Sequence, residues 1–203
     1  MINRSTYQEI QGWLDEREAR ALQLIAEDQR VTEIGCWKAK SSIAMAATAR
    51  SVLSIDHFKG DAYAGPAFTL TEAIENIRTH DVGNKISLLI QDFFCIDDHK
   101  ILELISASDV LYYDGDHSGE SVEKLVKFLD TIDRGSFPIV AFHDYESSPV
   151  YQAGKDIFDS FVSRLKQSGY DSDCLVVVHR LAIIVPPRIS GDIKEKLLGI
   201  TNE

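Results

Sequence analysis

The segment LYYDGDHSGE (residues 111–120) places two carboxylates and an imidazole within four positions, directly after an apolar run. Val110–Tyr113 has the continuous apolar character of a buried strand. Asp114, Asp116 and His117 follow at the end of that strand. Side chains of these types can close a hydrogen-bonded turn, bind a metal ion, or take a proton from a substrate hydroxyl.

A second polar pair, His143 and Asp144, ends the later apolar run FPIVAF. If the two runs are neighbouring strands, the Asp114 and Asp144 carboxylates lie side by side. Together with a histidine, either His117 or His143, they would hold a hard divalent cation such as Mg²⁺. A mixed oxygen and imidazole set would also accept Mn²⁺ or Fe²⁺. The alternative is a hydrogen-bonded turn, in which Gly115 supplies the unusual backbone angles.

Acids also follow three other apolar runs. Glu33 and Gly35 end VTEIG, and Asp56 ends SIDH twenty-one residues after Gly35, where a carboxylate can accept the hydroxyls of a ribose. The dinucleotide fingerprint GxGxxG is absent, which favours S-adenosylmethionine over NAD because a sulfonium cofactor has no pyrophosphate to bind. Glu33 would repel a pyrophosphate but suits a cationic amino-acid group. Asp92, after ISLLIQ, would reach the adenine or cap the next helix.

Apolar runs typical of strands alternate with helical stripes along the chain. This alternation indicates βαβ units and a parallel sheet. We therefore predict an α/β fold: a Rossmann-like, doubly wound, mostly parallel seven-stranded sheet with helices on both faces and an antiparallel C-terminal strand pair around Arg180. Ligands bind such sheets beyond the carboxyl ends of the strands, where the polar residues lie. The predicted strands are 31–36, 51–58, 86–94, 109–114, 137–144 and two within 174–186.

The length of 203 residues suits a single domain spanning 1–203. Within it we predict an N-terminal helical segment (1–28), a Rossmann-like core (29–187) and a polar tail (188–203). An acidic form of the capping box, Asp15–Glu18, marks the start of the first helix. Apolar residues make up 44% of the chain, which predicts a packed core rather than disorder.

The net charge of −11 argues against a nucleic-acid partner, because a phosphate backbone requires a basic face. The first residues, MINRSTYQEIQGW, lack the apolar segment of a signal peptide, and no apolar run reaches transmembrane length. Cys36, Cys95 and Cys174 form no CxxC pair, so neither a zinc site nor a disulfide framework is indicated. We therefore expect a cytoplasmic protein with no membrane partner.

Several motifs together resemble those of the class I S-adenosylmethionine-dependent methyltransferases, specifically a small bacterial branch. They extend over residues 12–185, nearly the whole chain, and the pair DGDHS and HDY in register is the most specific part. The matching stretches are Gly12-Trp13 with Glu18, Leu22 and Ala26, then Val31–Gly35 with Ser41-Ser42, then SIDHF, DGDHSGE and AFHDY.

The resemblance implies S-adenosylmethionine as the cofactor. Glu33 and Gly35 would lie by its methionine end, with Ser41 or Ser42 near its carboxylate. Asp56 would hold the ribose. The full set that we assign to the cofactor is Glu33, Gly35, Cys36, Trp37, Ser41, Ser42, Asp56, His57, Asp92, Phe93 and Asp114, with Asp92 and Phe93 at the adenine.

The resemblance also bears on the metal and the base. Metal-dependent relatives that act on sugars and antibiotics place metal ligands at positions that correspond to Asp114, His143 and Asp144. However, they usually have an acid where His143 stands, which leaves metal independence open. His117 matches a position where such relatives can have a base. A further departure is Ala39, which stands where the family commonly has glycine.

We therefore predict methylation of an oxygen atom on a small molecule, such as a sugar, an antibiotic-like compound or a phenol, with His117 as general base. A bound divalent cation would assist by lowering the pKa of the acceptor hydroxyl. Lys59–Pro66 and Glu146–Gln152, or another subunit, would build the acceptor site, and the amphipathic segment Ser5–Leu14 suggests a homodimer. The alternatives are an NAD-dependent oxidoreductase, a metal-dependent phosphohydrolase and a non-catalytic cofactor-binding module.

Overall fold

The computed structural model describes residues 7–61, 65–146, 148–170 and 173–202. Ser5, Thr6, residues 62–64 and Ser147, which belong to the predicted partner-binding segment and acceptor loops, lie outside these ranges. The strands of the main sheet are β1 (Arg30–Ile34), β2 (Ser51–Asp56), β3 (Ile86–Ile90), β4 (Val110–Tyr113), β5 (Ile139–Phe142), β6 (Leu175–Val178) and β7 (Leu181–Ile184). The helices are α1 (Glu16–Ala26), α2 (Lys40–Ala46), α3 (Leu70–Thr79), α4 (Asp98–Ser106), α5 (Gly119–Thr131), α6 (Gln152–Gln167) and α7 (Ser190–Thr201).

These strands form one mixed sheet in the order β3-β2-β1-β4-β5-β7-β6. Strand β7 is antiparallel to both of its neighbours, and the other six strands are parallel to one another. The predicted doubly wound sheet with an antiparallel C-terminal pair is confirmed. The chain direction across the sheet reverses between β1 and β4, and the crevice at such a point is where ligands bind in this type of fold.

Helices cover both faces of the sheet because successive residues of its central strands are apolar on both sides. In β4, Val110 and Tyr112 pack with α1, α2 and α7, whereas Leu111 and Tyr113 pack with α4, α5 and α6. All four residues are fully buried. The sheet is therefore a rigid central layer, and polar side chains gather at its carboxyl edge.

The N-terminal residues bring α1 to that edge. Asp15 accepts the backbone N–H of Arg17 at 2.9 Å, and Glu18 accepts the N–H of Asp15 at 2.8 Å, so the predicted capping box is confirmed. Before it, Tyr7 and Ile10 are buried against α2 and α3 of the same chain. These two apolar residues of the predicted partner-binding segment are therefore covered within the chain.

The C-terminal residues, predicted as a polar tail, include the helix α7. Leu197 and Ile200 of α7 are buried in the cluster that contains α1 and the C-terminal strands. In the sequence, the three-residue spacing of Leu197 and Ile200 is typical of a helix with one apolar face. Among the helices that the structure describes, none combines the length and the apolar character needed to cross a bilayer.

Candidate functional site

The loop between β1 and α2 turns tightly across the end of β4. Gly35 has φ +91°, and a Cβ atom there would overlap the carbonyl group of Asp114 and lie 2.8 Å from the Gly115 nitrogen. Trp37 and Ala39 have φ of 47° and 66°, in the left-handed region that favours glycine. The left-handed conformation of Ala39 is one that glycine would adopt without strain.

Asp56, at the end of β2, closes this loop. Its Oδ2 atom accepts the backbone N–H groups of Cys36 at 2.8 Å and Trp37 at 2.7 Å. Its Oδ1 atom accepts the N–H of Phe58 at 2.6 Å. The carboxylate therefore lies beside the Gly35 loop, as predicted, and three backbone donors fix its position.

Glu33 is fully buried inside β1 and faces the core rather than the edge. Its carboxyl group accepts hydrogen bonds from Ser41 at 2.5 Å, from Ser54 at 2.6 Å and from Ser42. Burial raises the pKa of Glu33 to about 7, although the three hydroxyl donors oppose the shift. In this arrangement Glu33, Ser41, Ser42 and Ser54 join β1, α2 and β2, and their polar atoms point toward one another rather than toward a crevice.

The buried carboxyl group of Glu33 predicts a pH-dependent stability. Its pKa rises from 4.5 unfolded to about 7 folded, so between these values the folded state holds a proton that the unfolded state has lost. Stability therefore falls as the pH rises through this window, by about 3 kcal/mol at about 1.4 kcal/mol per pKa unit. We expect Glu33→Gln to lack this loss, measured by urea unfolding at pH 5 and pH 8.

The exposed Glu75 provides the matched control for this titration. Glu75→Gln should keep the pH dependence of the unmodified chain. The assignment to Glu33 is wrong if Glu33→Gln loses as much stability between the two pH values as the unmodified chain does.

The ends of β4 and β5 bring together the three residues predicted as metal ligands. One ligand atom from each of Asp114, His143 and Asp144 lies within 4.8 Å of the others. The Nδ1 atom of His143 is 3.0 Å from Asp114 Oδ1 and 3.4 Å from Asp144 Oδ1. Tyr112 donates its hydroxyl to Asp114 Oδ2 at 3.0 Å. The sequence therefore predicted this cluster correctly as a set of neighbours.

Three further residues belong to the same cluster, although we did not assign them to a site from the sequence. Glu18 of α1 is fully buried and lies 3.2 Å from the Nε2 atom of His143. Its other oxygen accepts the backbone N–H of Arg180 at 3.1 Å and lies 3.0 Å from His179 Nδ1. The Arg180 guanidinium donates to Asp144 Oδ1 at 3.1 Å. The hairpin between β6 and β7 thus places a cation at the edge.

The pKa values in this cluster follow from its contacts. Burial opposes the charge of Glu18, but hydrogen bonds from His143 and two backbone N–H groups lower its pKa to about 2. Burial alone would lower the pKa of His143, yet the Asp114 and Glu18 carboxylates raise it well above its usual value. Burial would raise the pKa of Asp114, but the neighbouring His143 ring lowers it below its usual value. These directions all favour the charged forms of Glu18, His143 and Asp114.

Hydrogen bonds of this cluster compete with a divalent metal for its donor atoms. A histidine ligand needs a ring nitrogen with a free lone pair. Both ring nitrogens of His143 instead lie at hydrogen-bonding distance from carboxylate oxygens, which can only accept when ionised. Arg180 donates to Oδ1 of Asp144, the same oxygen that lies nearest to His143. We therefore assign no reaction step to a metal.

His117 is nearly buried beside this cluster, and its ring contacts the rings of Tyr113, Phe142 and Tyr151. Its Nε2 atom lies 2.9 Å from the backbone carbonyl oxygen of His143. A carbonyl oxygen only accepts, so Nε2 carries the proton and Nδ1 of a neutral ring keeps its lone pair. The ring has the tautomer that a general base needs.

The remaining predicted cofactor residues lie at the edge but differ in orientation. Asp92 caps the short turn Phe93–Cys95 by accepting the N–H of Phe94 at 2.9 Å. Phe93 packs in the core against Tyr113, so its ring lies in the interior instead of facing an adenine. His57 is partly exposed and its Nδ1 atom accepts the N–H of Lys59 at 3.0 Å. Cys36 is buried, and Trp37 packs against Trp13 with ring centroids 4.7 Å apart and ring planes tilted by 32°.

Two surface cavities of the described residues lie away from these strand ends. One, of about 640 Å³, lies between α4 and α5 and includes Phe94, Lys124 and Phe128. The other, of about 570 Å³, lies between α3 and β3. We give more weight to the strand ends, because ligands bind such sheets beyond the carboxyl ends of the strands and because partly buried carboxylates and His143 converge there.

No protein-family model matches the sequence, and comparison with curated proteins gives no match. Solved structures do match. The O-methyltransferase TomG from Streptomyces achromogenes, which is involved in tomaymycin synthesis and was solved with S-adenosylmethionine, aligns over 83% of this chain and 78% of its own. The two share 15% of residues and have a TM-score of 0.53. The chain has the class I methyltransferase fold.

Two other structures show how widely this fold is used. A TDP-rhamnose 3′-O-methyltransferase of calicheamicin biosynthesis aligns over 85% of this chain and 81% of its own, with 15% identity and a TM-score of 0.54. A precorrin 8W decarboxylase from Methanobacterium thermoautotrophicum aligns over 86% and 91%, with 16% identity and a TM-score of 0.53. Proteins with this fold carry out different reactions, so the residues of the site, and not the fold, determine the chemistry.

Proposed function

We propose that this chain is an S-adenosylmethionine-dependent methyltransferase that methylates an oxygen atom of a small molecule. The observation that carries the proposal is the position of Asp56 beside the Gly35 loop, at the carboxyl edge of a methyltransferase-type sheet. A carboxylate at the end of the second strand suits the hydroxyls of a ribose. The lack of a glycine fingerprint favours a cofactor without a pyrophosphate.

The Asp56 carboxylate has an acceptor position left for a ribose hydroxyl. A carboxylate offers about four lone-pair sites. Oδ2 accepts two backbone N–H groups and Oδ1 accepts one, so one acceptor position remains on Oδ1. We propose that this position takes one ribose hydroxyl, and that a second hydroxyl would have to replace the N–H of Trp37.

The sulfonium methyl group is already activated, so the chain must align the acceptor oxygen with it and remove a proton. In our proposal His117 takes that proton on Nδ1, while its Nε2–H stays on the carbonyl of His143. Tyr151, next to His117, belongs to the segment Glu146–Gln152 that we predicted at the acceptor site. The proposal includes no divalent cation, because hydrogen bonds already engage both ring nitrogens of His143 and Oδ1 of Asp144.

Isothermal titration calorimetry tests the function. S-adenosylmethionine and NAD are each titrated into the full chain, with and without Mg²⁺. We expect micromolar binding of S-adenosylmethionine alone, unchanged by Mg²⁺. If the folded chain, free of copurified cofactor, binds no S-adenosylmethionine, the proposal fails, and binding of NAD instead would favour an oxidoreductase.

Asp56→Ala tests the ribose contact. Loss of a hydrogen bond to a charged group costs about 1.5–3 kcal/mol, so we expect the dissociation constant for S-adenosylmethionine to rise by roughly 10- to 150-fold. Calorimetry measures this change, and circular dichroism checks the fold. Asp97→Ala, which removes the cap of α4, is the control and should bind like the unmodified chain. Equal affinities in the two variants would contradict the role of Asp56.

The neighbours' reactions suggest the acceptor class. TomG acts in tomaymycin synthesis and another neighbour methylates TDP-rhamnose, so we propose a sugar, an antibiotic-like compound or a phenol as acceptor. A cytoplasmic location, the absence of a nucleic-acid partner and a homodimer stay predictions. Tight binding of S-adenosylmethionine without turnover on any acceptor would favour the non-catalytic module.

A further inference from the structure

The corner where β4, β5, α1 and the β6–β7 hairpin meet holds three carboxylates and two cations. The carboxylates are Glu18, Asp114 and Asp144, and the cations are His143 and Arg180. We propose that His143 and Arg180 are built-in cations that take the place of a divalent metal, and that this corner works without one. The exclusion of metal stands independently of methyl transfer, whereas its consequence for catalysis rests on the proposed function.

The His143 ring lies between two carboxylates. Its side chain is 2% exposed, and its two ring nitrogens lie 3.0 Å from Asp114 Oδ1 and 3.2 Å from Glu18 Oε2. The partner oxygens belong to carboxylates, which accept hydrogen bonds and do not donate them. With both carboxylates ionised, both ring nitrogens donate, which makes the ring a cation without a lone pair for a metal.

The contacts of Glu18 hold this arrangement in place. Each of its oxygens has two donors: Oε2 faces the Asp15 N–H and His143, and Oε1 faces the Arg180 N–H and His179. A buried carboxylate with its acceptor positions filled stays ionised and keeps the proton on His143 Nε2. Glu18 is thus a positioning residue for His143, and through His143 for Asp114.

Arg180 completes the charge balance. Its guanidinium donates to Asp144 Oδ1 at 3.1 Å and to the carbonyl oxygen of Trp13 at 2.9 Å. Three negative charges therefore face two fixed positive charges, with the partly exposed His179 beside Glu18. For a divalent ion to bind through His143 Nδ1 and Asp144 Oδ1, His143 would have to lose a proton and Arg180 would have to release that oxygen.

The consequence for catalysis concerns the acceptor. If the proposed function holds, the acceptor hydroxyl meets no Lewis acid at this corner. Its proton must then go to a base of the chain, for which His117 has the free Nδ1 atom. The Asp114 side chain, 30% exposed and held by His143 and Tyr112, is a fixed acceptor for orienting the hydroxyl.

Nuclear magnetic resonance of the full chain tests the proposal directly. With ¹⁵N-labelled histidine, both ring nitrogens of His143 should show the protonated state at pH 7, and 1 mM Mn²⁺ should leave the His143 signals sharp. A neutral ring, or Mn²⁺ broadening that saturates at micromolar concentration, would overturn the proposal. Since neither measurement needs S-adenosylmethionine, the result is independent of the cofactor titration.

A variant tests whether His143 is what excludes the metal. His143→Asp replaces the cation by a third carboxylate beside Asp114 and Asp144, so the folded variant should bind Mn²⁺ at least tenfold more tightly than the unmodified chain. Electron paramagnetic resonance of free Mn²⁺ measures this. If the folded variant binds no more Mn²⁺ than the unmodified chain, His143 does not exclude the metal and the proposal fails. If the variant does not fold, the spectra of the unmodified chain decide.

Discussion

Replacing Gly35 by alanine is expected to lower the free energy of unfolding by on the order of 4 kcal/mol or more, among the largest effects of single substitutions. Two causes act together. The φ of +91° is one that residues with a Cβ atom rarely adopt, and that Cβ atom would overlap the peptide between Asp114 and Gly115. Backbone atoms cannot move aside as a flexible side chain can, so the β1 loop or the end of β4 must shift.

Gly169 separates the two causes. It has φ +100°, but an added Cβ atom would meet no atom within 4 Å. Gly169→Ala therefore reports the backbone strain alone, about 1–3 kcal/mol. Urea unfolding of both variants gives the comparison. If Gly35→Ala is no less stable than Gly169→Ala, the close approach of the β1 loop to Asp114 is not tight, and the site has more room there than the structure shows.

Much of the fold followed from local patterns. Apolar runs and helical stripes predicted all the strands of the sheet and their mixed direction, because buried parallel strands leave a strong local signal. The predicted strands extended too far at their carboxyl ends: 51–58 and 86–94 were predicted where Ser51–Asp56 and Ile86–Ile90 form the strands. Polar residues at those ends leave the sheet to form turns and caps, as Asp92 does.

The part of the site that the sequence did not reveal depends on distant contacts. Glu18 lies 125 positions from His143 and 162 from Arg180, and the capping box had already accounted for it locally. For Glu33, by contrast, the local sequence suggested a site residue, but its side chain faces the core. It stands two positions before Gly35, but strand alternation turns it toward Ser54, its register partner in β2. Local spacing indicated that these acids matter, and only the packing of the sheet decides which way they face.

The contacts around Glu18 also explain why a helix start, two strand ends and a hairpin converge on one corner. A buried carboxylate is costly unless donors surround it, and here the donors come from His143, His179 and the backbone of Arg180. The contacts that hold this corner together are therefore the same ones that satisfy the buried acid. Asp114 and His117, which the proposed reaction uses, lie against the groups fixed in this way.

His117→Ala is expected to lower kcat by roughly 10²- to 10⁴-fold, the usual contribution of a general base, while the affinity for S-adenosylmethionine stays within about threefold. The reason is the tautomer: Nε2 donates to the carbonyl of His143, which leaves Nδ1 to accept a proton from the acceptor hydroxyl. Release of S-adenosylhomocysteine gives the rate, with the first active acceptor from a screen of phenols and sugars. Calorimetry gives the affinity.

A structural role for His117 must be distinguished from a chemical one, because the ring also packs against Phe142 and Tyr151. His117→Gln separates the two roles, since its amide can still donate to the carbonyl of His143 but cannot take up a proton. We expect it to unfold near the temperature of the unmodified chain and to be as slow as His117→Ala. The exposed His99→Ala should keep full activity. Activity retained in His117→Gln would show that the ring positions its neighbours and that the proton leaves by another route.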